Sequence, residues 1–232
     1  MRRMKLIICV LSITIAGILF LSTVSSNAQE GTKISEAELS KIFEEHIKWH
    51  ETERKEGQRA DLRGVNLSGS NLSGANLRGS DLRGANLIGA YLHKTDLEGA
   101  NLEGASLQGA DFWAADLEGA NLRHGNLKGA NLRHANLQHA NLEEANLSFT
   151  NPWGANLEGA NLTGANLEGA KLVWIALRGA EGLTIEQLSR AKTLYTAALD
   201  PELMEQVKEK CPHLLKEPKD ADPKEGEPEF VE

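Results

Sequence analysis

The 232-residue sequence predicts a stacked-repeat fold, a solenoid, and three observations predict it. From residue 60 to residue 179 the chain repeats one five-residue unit 24 times without losing phase, as in Ala75-Asn76-Leu77-Arg78-Gly79 and Ala160-Asn161-Leu162-Thr163-Gly164. The centre of each unit is Leu, with Phe112 and Pro152 the only departures, and two places earlier stands a small residue, mostly Ala. A period of five matches neither the helical 3.6 nor the strand period of 2. It suits a chain that turns a corner every five residues, with one large and one small apolar side chain pointing inward. Glycine at the fifth position tolerates the positive φ that such corners need. One unit buries its apolar side only by stacking on neighbours, so the repeat defines the architecture.

In chain order, residues 1–28 are foreign to this object. Arg2, Arg3 and Lys5 precede an apolar run over 6–21 and the small residues Ser26-Asn27-Ala28, the layout of a secretory signal cut after Ala28. The chain is therefore expected to be exported to a periplasmic or extracellular space. An uncleaved segment anchored in a membrane is the alternative, although the run is short for a span of about 20 residues. Removing Arg2, Arg3 and Lys5 leaves 22 basic against 33 acidic residues, a net charge of −11. Cys211 is then the single cysteine, so no internal disulfide forms; it reads as a small apolar residue near a helix end, or as the site of an intermolecular disulfide.

Residues 29–59 read as an amphipathic capping helix. Ser35 and Glu38 form a capping box, and Leu39, Ile42, Phe43, His46, Ile47 and His50 share one face. His46 and His50 have the spacing of a helical metal pair, but no third ligand accompanies them, and packing on the first repeat is the expectation. After the repeats (60–182), residues 183–215 read as a C-terminal helical cap. Thr184 and Gln187 give a second capping box, with Leu188, Ala191, Leu194, Tyr195 and Ala198 as its apolar stripe. Asp200-Pro201 opens a further helix that Pro212 stops. Residues 216–232, rich in Pro, Glu, Asp and Lys, read as an acidic disordered tail.

The units resemble those of the pentapeptide-repeat family, whose pattern is Ala-(Asp/Asn)-Leu-x-x, and the flanks resemble those of exported members. The resemblance implies an all-β, right-handed quadrilateral β-helix of about six coils, with helical caps at both ends. Four units then make one coil, residues twenty apart stack, and the shaft is about 29 Å long at about 4.8 Å per coil. Asn101, Asn121, Asn141 and Asn161 fall in one column and can form a ladder.

Sorting outward residues into columns locates the candidate interaction face at Tyr91, His93, Trp113, Arg133, Trp153 and Trp174, with His134 and Val173 beside them. Three of the four tryptophans lie there, and Trp and Arg are favoured anchors of interfaces. Trp113, Arg133 and Trp153 share a register in successive coils, which places Arg133 between two outward indoles. A second face, Asp96, Glu98, Asp116, Glu118 and Glu158 between Arg78 and Arg178, reads as a solvated surface. Some family members protect DNA gyrase by imitating duplex DNA. Here the 24 units over residues 60–179 carry a net charge of only −3, whereas about 29 Å of duplex carries on the order of −17.

His124, His134 and His139 replace corner glycines on three different faces and cannot converge on one ion. No nucleophile–base pair, phosphate loop or CxxC is present, and no basic patch for nucleic acid. The sequence thus predicts no catalytic residues, cofactor, metal or nucleic-acid ligand. It predicts an exported, non-catalytic, rigid protein-binding or structural module whose partner it does not name. The alternatives are a shaft that homodimerises through its aromatic face and a DNA-mimic topoisomerase inhibitor.

Overall fold

The computed structural model describes residues 34–218, so the signal segment and the tail beyond residue 218 lie outside the described residues. Within the repeats each Leu is buried and so is the small residue two places before it; Leu122, Ala120 and Phe112 are fully enclosed. Nearly every unit closes a β-turn, the unit centred on Leu172 being the exception: the carbonyl of Leu122, for example, accepts from the Gly125 amide at 2.9 Å, and the third residue of the turn, His124, has φ 57°. Positive φ at that position is the type II signature, which is why glycine occupies most of these corners.

Parallel pairing joins residues twenty apart, as in Asn101 with Asn121, Asn121 with Asn141 and Asn141 with Asn161. Amides of one coil donate to carbonyls of the next, for example Leu122 N–H to Asn141 O at 2.7 Å. Four corners per twenty residues give four sides. Asn and Asp do more than face water. Their Oδ1 accepts from the amide two residues on, as Asn141 does from Glu143 at 3.0 Å, and the Nδ2 of Asn donates to the adjacent coil, Asn121 to Asn101 Oδ1 at 3.1 Å. The side chain thus sets the turn locally and ties coils together.

Helix α1 (Glu36–Glu51) begins on the Ser35/Glu38 capping box and buries Leu39, Phe43 and His46 against the first coil. The chain then bends back under the helix. At Gly57 (φ 75°) a Cβ would lie 2.7 Å from the Trp49 amide nitrogen, so only glycine fits. The Ala60 amide donates to His46 Nδ1 at 3.0 Å.

The C-terminal end corrects the sequence expectation. Helix α2 is only Ile185–Ser189, so Leu188, Ala191, Leu194, Tyr195 and Ala198 do not form one helical stripe. Instead the repeat resumes. Leu194 and Leu199 are buried five residues apart, Thr193 pairs with Lys171 and Ala198 with Ala176. These partners are 22 residues apart, so α2 is accommodated as a two-residue insertion at a corner. The edge of the preceding coil offers bonds that a helix here would leave unmade, such as Leu172 N–H to Thr193 O at 3.1 Å and Leu177 N–H to Ala198 O at 2.8 Å. Gln187 Nε2 seals the insertion by donating to the carbonyls of Leu162 (2.8 Å) and Ala165 (3.0 Å). Asp200 precedes α3 (Pro201–Lys210), yet its carboxylate accepts from Gly179 N–H at 3.1 Å instead of capping the helix. A 3-10 turn, Pro212–Leu215, returns the chain to the last coil, where Leu214 O accepts from Leu194 N–H at 2.7 Å. Cys211 is buried between α3 and this turn.

Candidate interaction surface

Three sides of the shaft keep the repeat nearly intact and one does not. The irregular side has centres Leu72, Leu92, Phe112, Leu132, Pro152, Leu172 and Leu194, and it holds both departures from Leu within the repeats. Five of its seven corners carry side chains at positive φ where glycine is usual: Lys94 (53°), Ala114 (53°), His134 (57°), Trp174 (53°) and Thr196 (59°). The eighteen corners of the other sides have four such residues, His124, His139, Glu144 and Phe149. A left-handed conformation costs a non-glycine residue about 1–2 kcal/mol. Backbone cost is therefore concentrated on the side that also carries the aromatic residues.

The side chains form a ladder of edge-to-face rings along the shaft. Tyr91 meets His93 at 6.3 Å between centroids, His93 meets Trp113 at 6.2 Å, Trp113 meets His134 at 6.3 Å and His134 meets Trp153 at 4.8 Å. These geometries suit the quadrupoles of the rings. Lys94 lies over Trp113 at 5.2 Å and Arg133 over Trp153 at 5.4 Å. Asp111 holds the ladder from the side, accepting from Asn131 Nδ2 at 2.7 Å and lying 2.6 Å from His93 Nε2. The side carries Lys94, Arg133, Lys171 and Lys192 against Asp111 alone, so it is the basic side of an acidic chain.

Two sequence expectations change here. Tyr91 is 52% exposed and Trp113 37%, but Trp153 is only 6% exposed and Trp174 is half-buried. Trp153 points away from the Leu core, as its column requires, and is then covered by its neighbours His134 and Arg133. The ring between the two indoles is His134, not Arg133, which covers Trp153 alone among the ring contacts described. Pro152 has no amide to donate, and among the described residues no pairing joins Asn151 to Lys171, although Asn131 pairs with Asn151. Sequence reasoning also missed Lys94, and it missed Tyr195 and Thr196 by assigning them to a helix. Phe149, 55% exposed under Lys128 on another side, was missed as well. A residue other than Gly at the fifth position was the available signal for Lys94 and Phe149.

The acidic side gathers carboxylate oxygens of Asp96, Glu98 and Asp116 within 4.8 Å of one another. Protein groups already engage them: Arg78 pairs with Glu98, and Asn136 Nδ2 donates to Asp116 at 3.1 Å and to Glu118 at 3.2 Å. Burial raises the Asp96 carboxyl above the usual range, opposed by Arg78 and reinforced by Asp116. His124 pairs with Glu144 at 3.2 Å, and His139 lies against Gly159; with His134 they stand on three separate sides.

The chain was compared with known proteins. The family model described as pentapeptide repeats matches in eight copies over residues 60–99, 85–123, 125–151 and 140–179. Among solved structures, the chain is similar to HetL, a pentapeptide repeat protein involved in heterocyst differentiation regulation from the cyanobacterium Nostoc sp. strain PCC 7120. Identity is 32%, with 61% of this chain and 73% of that chain covered and a TM-score of 0.30. It is similar to a pentapeptide repeat protein from the Arabidopsis thaliana thylakoid lumen at 34% identity, covering 48% and 68%, with a TM-score of 0.22. It is also similar to QnrB1, a plasmid-mediated fluoroquinolone resistance protein, at 23% identity, covering 62% and 88%, with a TM-score of 0.29. Comparison with curated proteins gives no match. With the repeat model matched over half the chain and the twenty-residue pairing in place, the chain belongs to the pentapeptide-repeat family.

Proposed function

We propose that this protein is an exported, non-catalytic β-solenoid that acts as a rigid protein-binding or structural module. In this reading the shaft has about six right-handed coils plus the units centred on Leu194 and Leu199. Helix α1 closes one end, and α2, α3 and the 3-10 turn close the other. The irregular side is the recognition surface, with Tyr91 and Trp113 as its exposed anchors, His93, Lys94, Arg133, His134 and Trp153 in the ladder that holds them, and half-buried Trp174 farther along the same side.

The observation that carries this reading is the concentration of unfavourable corners on the aromatic side. Glycine would fold better at those positions, and backbone strain of this kind clusters where a surface serves a purpose other than folding. Rings fixed edge to face, with cations laid over them, make a preorganised surface that loses little side-chain entropy on binding. Such chemistry suits recognition rather than bond-making.

The test is capture from a periplasmic extract by the full chain and by the Tyr91→Ser/Trp113→Ser variant, with circular dichroism melting of both. The expected result is loss of a specific partner while a single cooperative melting transition remains, lowered by only a few degrees. Self-association seen by light scattering and lost in the same variant would make the partner a second copy. Capture that is indifferent to the double substitution contradicts the assignment.

A further inference from the structure

The open end of the first coil is closed by an imidazole that works only when neutral. Along the shaft the amide of each small residue donates to the carbonyl of the preceding central residue, as Ser80 does to Leu77 O at 3.0 Å. Ala60 begins the repeats and has no preceding unit. Its amide donates instead to His46 Nδ1, 3.0 Å away and on a side chain 0% exposed. The ring nitrogen thus takes the place of the missing carbonyl. His50 performs the reverse service: its Nε2 lies 2.7 Å from the Arg78 carbonyl of the first coil and donates to it. The two rings meet edge to face at 4.9 Å, and Trp49 stacks on His46 at 5.8 Å.

A protonated His46 has no place in this arrangement. Nδ1 would present a hydrogen to the Ala60 N–H, setting donor against donor. Its Nε2 already carries a hydrogen in the neutral form and makes no hydrogen bond among the described residues, so the added proton can fall only on Nδ1, in a buried site. The charged groups that act on it are His50 on α1 and Arg59 on the segment entering the shaft. Arg78 on the first coil reaches it only through its backbone carbonyl, the guanidinium pairing with Glu98. Asp96 on the second coil lies near His50 rather than His46. Burial first, then His50 and more weakly Arg59, push the His46 imidazole down to about 4, against the pull of the Arg78 carbonyl.

We propose that His46 is an acid-sensitive latch: in its neutral form it seats α1 on the open end of the shaft, and its protonation releases α1 while the coils stay folded. This is a property distinct from the recognition surface on the irregular side, and either can fail without the other. The released state binds the proton near the ordinary histidine value of about 6.5 and the seated state near 4. Seating is therefore complete above about pH 6.5 and weakens as pH falls toward 4; at about pH 5 the open fraction is raised about 30-fold.

Hydrogen exchange on the full chain, corrected for intrinsic rates, measures this at about pH 7.5 and about pH 5. The amides of α1 and Ala60 should open about 30-fold more at the lower pH, and those of the central coil around Leu122 should not change. His46→Asn keeps an acceptor oxygen near the Nδ1 position but does not titrate, and the pH effect should vanish in it. Equal protection of α1 at both pH values, or a pH effect that survives in His46→Asn, overturns the latch. If His46→Asn fails to seat α1, the wild-type ring resonances decide. A seated His46 that stays neutral and protonated on Nε2 at about pH 5.5 supports the proposal, and one that titrates while seated near about 6.5 refutes it.

Discussion

Trp153 and Trp113 stand in one outward column two coils apart, yet their environments predict unequal costs on removal. Trp153→Ala deletes a side chain that is 94% covered, together with the ring contact to His134 at 4.8 Å and the cation contact to Arg133 at 5.4 Å. Removing a buried Trp costs about 3–5 kcal/mol, and the lower figure applies because His134 and Arg133 can settle into the gap from the solvent side. Trp113→Ala removes an indole that is 37% exposed and held by longer ring contacts, and about 1 kcal/mol is expected. For a domain of this size 1 kcal/mol moves the midpoint by about 2–4 °C. The two variants should therefore melt about 6–12 °C and about 2–4 °C below the parent. Circular dichroism melting of both, with Trp153→Phe as the variant that keeps a ring, is the assay. Equal shifts, or a larger one for Trp113→Ala, would show that Trp153 is not the packed member of the pair.

The other outcomes follow from the same coordinates. Leu122→Ala should cost about 2–5 kcal/mol through the cavity left in the core, and Arg123→Ala beside it about 0.5 or less; equal melting shifts would reverse the inward and outward positions. Hydrogen exchange should be faster around Asn151 and Lys171, where Pro152 removes a bond between coils, than around Leu122 and Asn141, where both bonds are present. Uniform protection would remove the weak point. Gly159→Ala should destabilise more than Gly109→Ala, because a Cβ at 159 lies 2.5 Å from His139 Nδ1 and one at 109 meets nothing within 4 Å. Both substitutions bear the same positive φ, so adding His139→Gly should abolish the difference; a difference that persists would place its cause elsewhere.

The shaft was legible because its signal is periodic. One Leu and one small residue every five positions state the core, and the corner glycines state the turns. What the sequence concealed has physical reasons. Residues 190–199 place apolar side chains at spacings that suit both a helix and this repeat. The unpaired edge left by the coil at Lys171–Leu177 decides between them, and it exists only in three dimensions. The burial of Trp153 was hidden because a column fixes direction from the core axis but not what neighbouring coils lay across a side chain. His46 was expected to pack on the first coil. That its Nδ1 replaces a missing carbonyl requires the position of the Ala60 amide, which no spacing supplies.

The proposed recognition surface requires that residues twenty apart stack, since every side of the shaft is a column read at that interval. Asp111 and Asn131 pair across adjacent coils on the irregular side and touch through their side chains at 2.7 Å. At a coil spacing of about 4.8 Å their Cα atoms fall within the disulfide range of about 4.4–6.8 Å. The double variant Asp111→Cys/Asn131→Cys should form an intramolecular disulfide under mild oxidation, and Asp111→Cys/Asn126→Cys, one corner away, should not. Closure of the second pair without the first would contradict the register and with it the assignment of the aromatic residues to one side.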